Sequence, residues 1–448
     1  MSGDQTAPRS GEKERPAHQQ AELPPLSDPG KDERAATGVP VVPAFDGYRA
    51  FAIMAIVIFH VITNAGVTQR AGGNFAGQLI WGTGPQFVDI LFIVSGFVVF
   101  LPTVAQGGKF GNIGGYAIRR GARLLPAYWL SLGVMILVMA TQSGVPMPDF
   151  GSLASNFSGM QTGVQMVWPQ FPIGFGFDTP LWTLTLEISF YVVLPFIAAA
   201  YFRHPYMGLA IALAIAVGWR EAFAHIGEIT QWFGIDLSLN RALELQLNSV
   251  NQLPNWAFSF GAGMTSACAY VRLRERYEPE RLQRLAARAL VPALIVFALF
   301  VYLAGRKAIG TSFPEGLVPS FIMRQSSFLS IGYTASLAAV MLALCMAPWR
   351  LQVPFAHPLA RKLGDISYGI YLIQEPILWF IVFHFTFPAG GGLRPAAIWL
   401  IAVIPAAMLY GYLSARFVEQ PIRRWARRFG RRGQATQSSA GLRAKAQT

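Results

Sequence analysis

Ten apolar stretches, most of them long enough to cross a lipid bilayer as a helix, punctuate this 448-residue chain and leave few folds open to it. They fall at roughly 45–65, 84–104, 124–141, 181–201, 206–220, 253–271, 288–305, 325–347, 366–385 and 396–417. The fifth and seventh are short or flanked by charge. With 53% of residues hydrophobic and only 13% charged, a soluble reading of the chain fails. The expected fold is therefore an all-α integral membrane protein with about ten transmembrane helices, spread over residues 45–418. The first stretch does not read as a cleaved signal peptide, since 44 polar residues precede it and it holds an Arg and a His.

The net charge of +13 is a matter of topology. With the N-terminus cytoplasmic and sides alternating, the inner segments hold 27 Lys and Arg against seven outside. That asymmetry follows the positive-inside rule with both termini in the cytoplasm, and no separate basic module speaks for nucleic acid. Residues 1–44, rich in Pro, Ala, Gln and mixed charge, read as a disordered cytoplasmic tail, and 419–448 as a basic tail with affinity for anionic lipid. Cys268 and Cys345 both fall in apolar stretches and read as packing residues, not as a disulfide framework. Two outer loops, 142–180 and 221–252, mix aromatics such as Trp168 and Trp232 with amides. They read either as interfacial belts or as surfaces for a sugar.

Within the apolar stretches, ionisable residues are costly and mark function. Arg49 and His60 stand eleven positions apart on the first stretch, which is about three helical turns, so they share a face with a rise of roughly 16 Å between them. By depth, Asp89 on the second stretch and Glu187 on the fourth are expected in the same outer layer as His60. A His there is suited to take a proton, and either Asp89 or Glu187 would orient its ring; the sequence does not choose between them. At the inner mouth, Arg49 joins Arg120 and Arg123, whose forks suit phosphates, although positive-inside anchoring alone would also place Arg there. Asp46, one turn before Arg49, is positioned to pair with it. Phosphate-binding charge at one end and a base near the other fit a long donor such as acyl-coenzyme A.

The motifs carry a resemblance as well. Phe45-Asp46-Gly47-Tyr48-Arg49-Ala50 through His60, Val88-Asp89 through Ser95-Gly96-Phe97, and Arg120-Gly121-Ala122-Arg123 before Pro126 and Tyr128 occur in this order. Pro180-Leu181-Trp182 through Glu187 with Phe190-Tyr191, Ser367-Tyr368-Gly369 through Tyr371 and Pro376, and Glu419-Gln420-Pro421-Ile422-Arg423 follow. Together they resemble the acyltransferase-3 family of integral membrane O-acyltransferases over roughly residues 44–424. Where the family often has a His shortly before the late Pro, this chain has Gln374, which cannot accept a proton, followed by Glu375. The hydrolase-like extension of some members has no counterpart in the sequence, so a single membrane domain is expected.

The resemblance implies transfer of an acyl group, in the first place acetyl, from acyl-coenzyme A to a hydroxyl of a carbohydrate or glycosylated acceptor in a bacterial cytoplasmic membrane. His60 is the expected general base with Asp89 or Glu187 beside it, and Arg49, Arg120 and Arg123 the expected donor clamp. In the matched motifs Asp46, Ser95, Trp182 and Tyr371 are the candidates for substrate binding. The scheme calls for no metal and no permanently bound cofactor. An acyl-histidine intermediate is a variant of it, and an acceptor arriving from the cytoplasm, such as a macrolide, is the other route of approach. The reading from a different class is a proton-coupled transporter moving a polar solute past His60, Asp89 and Glu187.

Overall fold

A computed structural model describes residues 42–66, 84–168, 178–307, 326–388 and 392–429. Most of the tail predicted at 1–44, and the part of the tail predicted at 419–448 that follows Phe429, lie outside them. Among the described residues every regular element is helical. The long helices are α1 (Ala44–Asn64), α2 (Val88–Ala105) and α3 (Ile113–Ala140). Two short ones follow, α4 (Phe150–Phe157) and α5 (Gln161–Val167), then the long α6 (Trp182–Arg203) and α7 (Pro205–Ala224). After the short α8 (Ile226–Gln231) and α9 (Leu239–Ser249) come α10 (Leu253–Arg276), α11 (Pro279–Lys307) and α12 (Ser326–Met346). The chain ends in α13 (Trp349–Ala356), α14 (Pro358–His384), α15 (Leu393–Ser414), a π-helical turn at Ala415–Glu419 and α16 (Gln420–Ala426).

Nine segments among the described residues are long and apolar enough to cross a membrane. The sixth predicted stretch, 253–271, is present as α10, and its Gly, Ser and Asn content dilutes its hydropathy. Those small and polar residues are turned inward, and α10 is among the more enclosed helices. In contrast, α7 and α11 expose Met207, Ile211, Val291 and Ile295, as helices facing acyl chains should. Several expected boundaries move. The third helix begins at Ile113, eleven residues before the predicted start, because Asn112 caps it by accepting from the Gly115 N–H at 2.8 Å. The two predicted outer loops hold α4, α5, α8 and α9.

Close helix packing rests on glycine. A Cβ on Gly96 of α2 would stand 2.2 Å from the Phe260 carbonyl oxygen of α10, and one on Gly263 of α10 would stand 2.2 Å from that of Ile93. Only hydrogen fits at both points, so the backbones of α2 and α10 meet directly, as small residues permit in membranes. An aromatic core grows around this crossing. Phe260 stacks on Phe190 of α6 at 4.3 Å between centroids, and Phe92 packs against Trp256 at 5.0 Å. Cys268 and Cys345 are both buried free thiols.

Candidate active site

Helix α1 is unbroken from Ala44 to Asn64, so Arg49 and His60 sit three turns apart on one rod. They serve two different clusters.

At the His60 end, the ring Nδ1 lies 3.0 Å from Oε1 of Gln374 on α14. An amide oxygen only accepts, so the ring donates from Nδ1 and leaves Nε2 with its lone pair. Neither Asp89 nor Glu187 bonds to the ring, and the expectation that one of them orients it gives way to the amide. Gln374 stands two residues before Pro376, which lacks the N–H that would bond the Leu372 carbonyl. Ser131 of α3 takes up that freed carbonyl at 2.7 Å and ties the proline-broken turn to the bundle.

Asp89 is fully buried and accepts from Ser259 of α10 at 2.6 Å and Thr334 of α12 at 2.7 Å. Arg220 of α7 lies within its electrostatic reach, itself held by Asn255. This carboxylate fastens three helices. Glu187 is not level with it: one oxygen, Oε1, accepts from Ser95 at 2.5 Å and from Tyr191 at 2.7 Å. Ser95 is six residues further along α2 than Asp89, about 9 Å, so the expected common layer of three ionisable groups divides.

Glu187 belongs with the arginines. Arg49 and Arg123 lie within electrostatic reach of each other and of Glu187 and Asp46. Neither guanidinium makes a hydrogen bond or a close ion pair with a described residue. Arg120 stands over the rings of Tyr191 at 5.2 Å and Tyr116 at 5.7 Å. Asp46 does not close on Arg49 as its spacing suggested; its carboxylate approaches Arg361 of α14 at 3.9 Å. A further pair joins this end, Arg423 with the buried Glu419 at 3.6 Å, where the π turn widens the last helical stretch. In the sequence Arg361 entered only the count of inner positive charges. Glu419 and Arg423 were visible in the last motif, without a role.

The remaining candidates are held by the protein. Tyr371 donates to the Pro180 carbonyl at 2.5 Å and contacts the Thr183 hydroxyl at 2.8 Å. Trp182 packs at 5.7 Å between centroids on Trp256, and Ser95 is committed to Glu187. Of the loop aromatics, Phe150, Trp168, Trp232 and Phe233 are exposed, as in an interfacial belt, while Phe171, Phe175 and Phe177 lie outside the described residues. One further carboxylate was missed. Asp178, just before α6, is enclosed with both oxygens lacking a hydrogen-bond partner. Burial pushes its carboxyl well above the usual range, and the charge of Glu375 adds to that, against a smaller opposing effect of the Ser131 hydroxyl. No motif marked it.

Comparison with known proteins bears on this arrangement. The family model described as an acyltransferase domain matches residues 42–416. Nodulation protein 10 of Rhizobium leguminosarum bv. viciae is 25% identical over 394 residues, covering 84% of this chain and 92% of that protein. Peptidoglycan O-acetyltransferase OatA of Listeria monocytogenes is 25% identical over 406 residues, 86% of this chain and 56% of the relative. The putative peptidoglycan O-acetyltransferase YrhL of Bacillus subtilis is 23% identical over 406 residues, 85% and 55% respectively. The chain thus spans little more than half the length of these two O-acetyltransferases. No solved structure matches it. With the matched region taking in the whole bundle from α1 to the π turn, this chain is a multi-pass membrane acyltransferase of the acyltransferase-3 family.

Proposed function

We propose that the protein moves an acyl group, in the first place acetyl, from acyl-coenzyme A to a hydroxyl of a carbohydrate or glycosylated acceptor, in the cytoplasmic membrane of a bacterium. The observation that carries this reading is the division of α1. Two guanidinium groups without close carboxylate partners among the described residues, Arg49 and Arg123, gather at one end, and a histidine with its Nε2 lone pair free to accept stands three turns away. A donor with phosphates on the arginines would extend its thioester along α1 toward His60. The Arg end faces the cytoplasm in the positive-inside arrangement.

In this scheme Arg49, Arg120 and Arg123 hold the donor phosphates. Glu187, fixed through Ser95 and Tyr191, lies close enough to orient Arg49 and Arg123. His60 Nε2 takes the proton of the acceptor hydroxyl as the new C–O bond forms, then returns it to the departing thiolate. Asp89 keeps α2, α10 and α12 in register and so holds the wall of the site, while Trp182 and Tyr371 stand among the elements that would shape the acceptor side. The names of the OatA and YrhL relatives support a carbohydrate hydroxyl as acceptor.

The test is binding of acetyl-coenzyme A and release of free thiol by purified protein in lipid nanodiscs, with chitotetraose offered as acceptor. Saturable binding, thiol release and acetylated sugar by mass spectrometry are expected. Absence of donor binding would sink the reading and turn attention to solute flux across a proton gradient.

A further inference from the structure

The side chain of Gln374 is completely enclosed, yet only one end of its amide is used. Its Oε1 meets His60 Nδ1 at 3.0 Å, and its Nε2 has no hydrogen-bond partner. An enclosed N–H without a partner is costly, and Leu or Met would fill the same volume without that cost. Buried polar groups left unpaired in a free enzyme are candidates for contacts made in the complex. The amide N and O are separated by roughly 2.2 Å, so the orphaned donor stands within about 5 Å of the ring nitrogen. The turn that carries it is fixed from both sides, by Pro376 within α14 and by Ser131 on the Leu372 carbonyl.

We infer that Gln374 serves both partners of the reaction: Oε1 holds His60 as the Nδ1–H tautomer, and Nε2 donates a hydrogen bond to the carbonyl oxygen of the acyl group under transfer. This inference rests on the proposed acyl transfer. The acceptor oxygen attacks the thioester carbon as its proton passes to His60 Nε2. The C=O electron pair moves onto oxygen, where the Gln374 N–H stabilises the developing charge. Collapse expels the thiolate, which takes the proton back from His60, so ester and thiol form from alcohol and thioester with nothing left over. A donor preset where charge develops is the arrangement that lowers such a barrier. Gln374 thus fills by hydrogen bonding a place where proton transfer is closed to it.

The test compares wild type with Gln374→Glu, Gln374→Met and His60→Ala in nanodiscs. The readouts are thiol release from acetyl-coenzyme A with chitotetraose, and thermal unfolding. Gln374→Glu keeps an oxygen against the ring and loses the donor, so kcat should fall about 10²-fold while KM for acetyl-coenzyme A changes less than about threefold. Gln374→Met, which loses both contacts, should fall at least as far. The tautomer is read separately, without substrate, by ¹⁵N-histidine NMR. The His60 signal, assigned by its loss in His60→Ala, should report protonated Nδ1 in wild type and a mixture in Gln374→Met. Wild-type kcat in Gln374→Glu overturns the donor role, even if Gln374→Met misfolds. An Nε2–H tautomer in wild type overturns the orienting role. A wild-type protein that shows the Nδ1–H signal but releases no thiol overturns the acyl-transfer reading and keeps the histidine–amide pair.

Discussion

Ser95 and Tyr191 place their hydroxyls on the same oxygen of Glu187, at 2.5 and 2.7 Å, so the carboxylate is clamped from α2 and from its own helix. A carboxylate held this firmly lies within electrostatic reach of Arg49 and Arg123 without pairing closely with either. Glu187→Gln should therefore disturb donor binding more than turnover of bound donor. We expect KM for acetyl-coenzyme A to change about tenfold with kcat within threefold, measured by thiol release. A fall confined to kcat would place Glu187 with His60 instead.

His60→Ala should reduce acyl transfer by at least about 10³-fold while acetyl-coenzyme A still binds, because the proposed base is lost and the arginines are untouched. Isothermal titration beside thiol release checks this. Transfer at the wild-type rate would remove His60 from the chemistry.

Arg49→Ala and Arg123→Ala each take away one charged fork from the expected phosphate site. A charge-assisted hydrogen bond contributes about 1.5–3 kcal/mol, so donor affinity should weaken roughly tenfold to 100-fold in each. Lys at either position should restore part of that, since it keeps the charge and loses the fork. Donor affinity unchanged in both variants would mean that phosphates bind elsewhere.

The sequence made the helical bundle legible, because length and apolarity of a segment decide whether it can span a bilayer. Even α10, whose hydropathy is diluted, was found from its apolar positions. The pairing of His60 was not legible. Depth along a helix follows from residue count, but which neighbour faces the ring depends on helix rotation and crossing, and those are set by contacts such as Gly96 with Phe260. A depth estimate therefore joined Asp89 to His60, while rotation gave Asp89 to Ser259 and Thr334. The arginine cluster was partly legible from its motif spacing. Asp178 carried no signal, because a carboxylate in a loop between aromatic residues reads as solvent-exposed until its enclosure is seen.

Asp89→Ala should act on stability and leave the chemistry to others. It removes the acceptor of two buried hydroxyl groups from different helices, so we expect a loss of about 3 kcal/mol. A thermal shift assay in detergent should show this, with the residual folded enzyme binding acetyl-coenzyme A normally. An unchanged melting temperature with lost turnover would reverse the assignment.

The carboxyl of Asp178 gives a pH signature with a definite sign. Its folded-state value is raised above the unfolded one, so the folded form favours the proton. The contribution to stability is then complete below the unfolded value and is lost as pH rises through the folded one. Asp178→Asn mimics the protonated form, so the variant should match wild type in acid and melt higher at pH 8. A variant that melts lower at pH 8 would show that the charged carboxylate has a partner in the fold.

The crossing of α2 and α10 constrains how this enzyme can breathe. With carbonyl oxygens standing where a methyl group would have to go at Gly96 and Gly263, the seam has no side chain to swing aside at those two points. It can act only as a keel. The contacts of α6 with α2 and α3, by contrast, run through the side chains of Ser95, Glu187 and Tyr116. Movement between helices would therefore be taken up along α6 and not at the glycine seam.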